Sequence, residues 1–94
     1  MSSIDIVTEI PGPRSRALVE RRVAAMPTGA AHLTDLGVAT ADGAVVTDLD
    51  GNRLLDFAGG IGVLGTGHCP PEVVDAVRRH AGDLLHICGI VATH

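Results

Sequence analysis

The 94-residue sequence predicts an α/β segment: a helix, a three-stranded antiparallel meander, a glycine-rich loop and a second helix. Three observations predict it. Asp42-Gly43 and Asp50-Gly51 separate three β-prone runs, and Asp-Gly between such runs is a strong hairpin signal. Two stretches, 14–26 and 71–85, carry apolar residues at three- and four-residue spacing. Between the meander and the second of these lies "AGGIGVLGTGHC", dense in glycine.

The elements follow in order. Pro11-Gly12-Pro13 makes a stiff approach, and Pro13 suits the first position of a helix, where its missing N–H costs nothing. Arg14 to Met26 reads as that helix, with Leu18, Val19, Val23 and Met26 on one stripe. Arg14, Arg21 and Arg22 lie largely off the stripe and read as a solvated face. Pro27-Thr28-Gly29 ends it. The runs "LGVATA", "AVVTDL" and "NRLLDF" are the three strands. A type I′ turn is expected at Asp42-Gly43, and a longer turn at Asp50-Gly51, since Asn52 also favours turns. Leu54, Leu55 and Phe57 give the last strand its apolar contribution. Pro70-Pro71 then stiffens the start of the second helix. Its apolar face carries Val73, Val77, His80, Ala81 and Leu84, and Gly82 weakens its last turn.

Composition narrows the function classes. Phe57 is the one aromatic residue, so any core is built from Val, Leu, Ile and Ala. A chain this short buries only about 60–65% of its unfolded surface, which favours a piece that packs on something larger. The net charge is -4, without the basic face that nucleic-acid binding needs. No apolar run approaches the roughly 20 residues of a membrane span. Asp5, Glu9 and Glu20 argue against a transit peptide. Cys69 and Cys88 form neither a C-x-x-C pair nor a disulfide framework. A reduced, cytoplasmic chain is the expectation.

Gly60-Ile-Gly62-Val-Leu-Gly65 spells G-x-G-x-x-G, the letters of a dinucleotide-binding turn. Such a turn follows a parallel strand, and its helix must point its N-terminus at the pyrophosphate. Here the preceding strand closes a meander. Thr66 to Pro71 displaces the helix by about a turn and a half. The glycines instead suit positive φ or close backbone approach.

"EIPGPRSRALVERRVAAMPTG", "DLDGNRLLDFAGGIGVLGTGHCPPEVVDAV" and "LLHIC" together resemble the amino-terminal part of the class III aminotransferases, pyridoxal-phosphate enzymes of fold type I. The resemblance runs from about Glu9 to Val91. The Pro-Gly-Pro-Arg-Ser block is most like the members that use 4-aminobutyrate. The resemblance implies that residues 1–94 are one incomplete segment, with the cofactor-binding large domain outside it. It implies a homodimer that takes an amino-acid substrate and a 2-oxo acid such as 2-oxoglutarate, with pyridoxal 5′-phosphate as cofactor. It places the glycine loop on the substrate side of the active site, with Ile61 as a wall of the substrate pocket and Ile90 at a second pocket position. On residue type alone, both isoleucines are equally ordinary core residues. His68, in the Gly-His pair, is expected to serve the start of the second helix through hydrogen bonds.

The chemistry of that family depends on a lysine amine that forms a Schiff base and shuttles a proton. This chain has seven Arg and no Lys. Alone it is therefore expected to be inactive, with apolar faces awaiting a missing domain. The abrupt apolar ending "GIVATH" points to truncation over a natural short remnant. Two other classes stay open. His68, Cys69, His86, Cys88 and His94 offer donors for a zinc module, though not at the usual close ligand spacing. The glycine loop and second helix also suit a stand-alone interaction module.

Overall fold

Residues 47–52, Thr-Asp-Leu-Asp-Gly-Asn, organise the fold. The computed structural model describes residues 3–30 and 32–87. Its elements are helix α1 (Pro13–Ala25), strands β1 (Val38–Asp42), β2 (Val45–Asp48) and β3 (Arg53–Leu55), the single turn α2 (Gly59–Gly62) and helix α3 (Pro71–Ala81). The strands form one antiparallel sheet in the order β1-β2-β3. This is the expected meander between two helices.

The link from β2 to β3 carries the polar centre. Asn52 is fully buried. Its Oδ1 accepts the amides of Val7 and Thr8 at 2.7 and 2.8 Å. Its Nδ2 donates to Thr8 Oγ1 at 2.7 Å and Asp48 Oδ2 at 2.8 Å. Asp48, also buried, accepts the Asn52 and Asp50 amides on Oδ1. A buried amide side chain with every polar atom partnered fixes the path of whatever it holds. Here it straps residues 7–8 across the sheet. The strap continues as a bridge between Asp5 and Arg53.

Asp50 closes α1 from a distance. The helix has Gly12 at its N-cap, no local side-chain cap and no acid in its first turn. Asp50 supplies both functions. Its carboxylate accepts the Arg14 amide at 2.7 Å and the Ser15 amide at 2.9 Å. A negative charge at this end also complements the helix dipole. Desolvation resists ionisation of Asp50, yet the Arg14 and Ser15 hydrogen bonds outweigh it and hold the pKa below the ordinary value. Gly12 leaves the room: a Cβ there would lie 2.3 Å from Asp50 Cγ. Buried Ser15 accepts the Gly37 amide on Oγ, joining α1 to the strand that follows.

Three local expectations are corrected. Asp42 is paired with Val45, so the first hairpin turns on Gly43-Ala44. Gly43 has φ 56° and Ala44 does not have positive φ, which excludes type I′. A two-residue loop with glycine at its first position is another favoured hairpin form, and Gly43 is held there by paired backbone bonds to His68. Arg22 is not a solvated charge, because its guanidinium donates to the Ala30 carbonyl and contacts His32 Nδ1. Phe57 lies past β3 and is 95% exposed.

Among the described residues none of the buried ones is a large apolar side chain; Ser15, Asp48 and Asn52 are buried instead. The stripe residues Leu18 and Val23 of α1, Met26 just past its end, and Val73 and Val77 of α3 are all exposed. The radius of gyration is 16.6 Å, against about 12 Å for a compact domain of this length. Asp50 and Ser15 hold the start of α1 to the meander, while much of the apolar face of each helix is left uncovered.

Candidate active-site loop

Residues 56–68 leave β3 and return to the tip of the first hairpin. Asp56 anchors the departure: its amide donates to the Ala44 carbonyl at 2.8 Å. Its Oδ1 accepts the amides of Ala58 and Gly59, both at 3.0 Å. The return is pinned by His68, whose amide and carbonyl both pair with Gly43. His68 Nε2 lies 2.6 Å from Asp56 Oδ2, and the two side chains are 23% and 18% exposed. The loop is thus closed at its base by one carboxylate–imidazole contact. The expected service of His68 to the second helix is replaced by this one, because its ring points back to Asp56.

The pair also fixes charge. The His68 hydrogen bond, followed by that from Gly59, lowers the Asp56 pKa from its ordinary value. Asp56 is then an ionised, acceptor-only group, so the proton between the two sits on His68 Nε2. The sign follows from linkage. A carboxylate with a depressed folded pKa adds stability above its unfolded pKa, which is lost as pH falls through the folded value. Protection of the Ala58 and Gly59 amides should therefore hold at neutral pH and fall only below about pH 4. Hydrogen exchange against pH checks this; loss beginning near neutrality would contradict it.

Gly67 makes the return possible. Its φ is 79°, and a Cβ there would sit 2.9 Å from the Gly43 carbonyl oxygen and 3.0 Å from Gly43 Cα. Both are backbone atoms and cannot rotate away. Gly67→Ala should weaken loop docking by about 2 kcal/mol or more, from left-handed strain and the clash. Denaturation of the protein carrying this segment would measure it.

Ile61 sits at the crown of the loop. Gly59, Gly60, Ile61 and Gly62 all have positive φ, so α2 is a turn of left-handed sense. The Gly62 amide donates to the Ala58 carbonyl, and the Val63 and Leu64 amides to the Gly59 carbonyl. Three of the four residues are glycines, for which this conformation carries no Cβ penalty. Ile61 (φ 64°, ψ 54°) is the exception, and a β-branched residue is a true outlier there. Such strain, about 1–2 kcal/mol, persists where surrounding structure over-determines it and often marks a working site. The side chain is 88% exposed. It lines an open groove of about 470 Å³ together with Leu18, Val19, Arg22, His32, Leu33 and Leu36.

Ile90, with Cys88 and His94, lies outside the described residues. The zinc reading gains nothing from the rest. Among the described residues no three metal-ligating side chains come together, and Asp56 occupies the His68 ring. Gly65 sits in a turn ahead of α3, and the strand before the loop is antiparallel, so the dinucleotide geometry is not formed. No helix among these residues is long and apolar enough to cross a membrane. The Asp56–His68 contact is the feature that sequence reasoning missed. Its one signal was that both residues stand in the "D-F-x-G-G…G-H" string.

The chain is similar to known proteins. Residues 25–94 match the family described as aminotransferase class-III. A 4-aminobutyrate aminotransferase of Mycobacterium tuberculosis is 46% identical over 89 residues, covering 95% of this chain and 20% of the relative. A 5-aminovalerate aminotransferase of Pseudomonas putida is 45% identical over 74 residues, covering 79% of this chain and 17% of its own. The crystal structure of an ω-transaminase from Sphaerobacter thermophilus superposes with a TM-score of 0.69 at 29% identity, over 84% of this chain and 19% of that one. The chain spans about a fifth of the length of the curated relatives it matches.

Proposed function

The chain belongs to the class-III aminotransferases, and on that premise we propose that it forms the substrate-side amino-terminal segment of an enzyme acting on 4-aminobutyrate or a related ω-amino acid. The amino group would pass to 2-oxoglutarate, in a cytoplasmic homodimer using pyridoxal 5′-phosphate. The observation that carries the reading is Ile61: a largely exposed apolar side chain on a strained turn, lining an open groove. The names of the relatives support a short linear amino acid as the molecule that meets it.

The residues present do not fit the cofactor's covalent anchor. A Schiff base needs a lysine amine, and the chain contains no Lys. Covalent attachment of the cofactor therefore does not run through these side chains. Their part is to bind and orient: Ile61 excludes water from one side of the substrate, and the loop base keeps it there. A second pocket role for Ile90 belongs to the same proposal.

The test is transamination of 4-aminobutyrate and 5-aminovalerate with 2-oxoglutarate by the full-length protein that carries this segment. Turnover of either acid supports the reading, and turnover of α-amino acids alone would overturn it. The 94-residue chain mixed with pyridoxal phosphate should show no transamination.

A further inference from the structure

We propose that Asp56 and His68 are positioning residues that set how far Ile61 reaches into the substrate space, and so the chain length of ω-amino acid the site prefers; this rests on the function proposed above. The argument is geometric. Ile61 is held in a left-handed conformation it would not adopt unaided. What holds it is the turn closed on the Ala58 and Gly59 carbonyls, and the start of that turn hangs on Asp56 Oδ1 through the Ala58 and Gly59 amides. The other carboxylate oxygen grips His68, which is fastened to Gly43 at the hairpin tip. One side chain thus ties the crown of the loop to its far end. Behind it lies a cavity of about 230 Å³ lined by Gly43, Ala44, Asp56, Gly59, Leu64 and His68, which leaves the loop room to sink if the tie is cut. A wall that can sink no longer distinguishes a four-carbon from a five-carbon substrate. Relatives at nearly equal identity are named for each of these lengths.

His68→Ala, His68→Gln and Asp56→Asn separate this role from a merely structural one. Glutamine keeps a donor toward Asp56, and asparagine keeps the acceptor for the two amides but disturbs the imidazole contact. In the cofactor-loaded enzyme, His68→Ala should raise KM for the preferred acid about tenfold while kcat falls less than about threefold, a loss of positioning. The ratio of kcat/KM between 4-aminobutyrate and 5-aminovalerate should move about fivefold toward unity, since one methylene in an apolar pocket is worth about 10- to 200-fold. His68→Gln should recover most of both effects, and Asp56→Asn should reproduce them in part. Amide exchange should accelerate at residues 58–63 and nowhere distant. An unchanged length ratio in loaded His68→Ala, or unchanged exchange at 58–63, overturns the proposal. If the unmodified enzyme turns over neither acid, the proposed function fails, and the exchange arm alone then decides whether the tie holds Ile61.

Discussion

Replacing Ile61 by glycine will lower kcat/KM for the ω-amino acid by about ten- to a hundredfold, the worth of an apolar pocket wall, and leave fold stability within about 1 kcal/mol. The two halves have separate causes. The side chain is 88% exposed, so its removal uncovers little that the segment itself had buried. Glycine relieves the left-handed strain at φ 64°, and that gain opposes the extra entropy of the unfolded chain, each about 1 kcal/mol. On the role proposed for Ile61, function has no such offset, because the wall would be gone. Steady-state kinetics and denaturation on the same preparation check both halves. Equal losses in both would make Ile61 a packing residue, and no kinetic change would remove it from the substrate pocket.

The largest structural effect is expected at Asn52. Its side chain partners the Val7 and Thr8 amides, the Thr8 hydroxyl and Asp48. Asn52→Ala leaves all four without that partner in a buried site, at about 3 kcal/mol by the usual cost of unsatisfied groups. The loss should be local. Exchange protection of Val7 and Thr8 should fall about a hundredfold, while the β1–β2 ladder, whose bonds do not involve Asn52, keeps its own. Asn52→Asp should be nearly as damaging. It loses the donor to Thr8 and sets a second carboxylate against Asp48. A change spread evenly over the sheet would show that Asn52 acts through general packing.

The strands were legible because their signals are local: β-branched pairs such as Val45-Val46 alternate with turn residues whose φ requirements are strict. The helices were legible for the same reason, with Pro13 and Pro71 marking their starts. What escaped were pairings across distance. Asp50 caps a helix 35 residues earlier, and Asp56 meets His68 12 residues later. Neither leaves a periodic trace, since a polar residue in a turn already has a local excuse. The left-handed sense of α2 was equally hidden. Glycine-rich runs permit many paths, and only the anchoring of both loop ends selects one. Ile61 was named from family resemblance, while its strain and exposure came from the structure. Arg22 was misread because off-stripe charge usually means solvent, whereas here the Ala30 carbonyl and His32 come to meet it.

The bonds that tie the amino-terminal half to the meander are nested. Asp5 joins Arg53, residues 7 and 8 join Asn52, residues 14 and 15 join Asp50, and Ser15 joins Gly37. During synthesis this order matters. Each early residue waits for a later one, and the first to be made waits longest. At about 5–20 residues per second, some 2–10 s separate emergence of the strap from emergence of its partners. For that interval α1 has no cap and residues 3–12 have no edge to lie on. A nascent chain arrested before Asn52 has emerged would leave residues 5–8 without their partners, so proteolytic cutting there should be fastest in that arrest and fall once Arg53 is out.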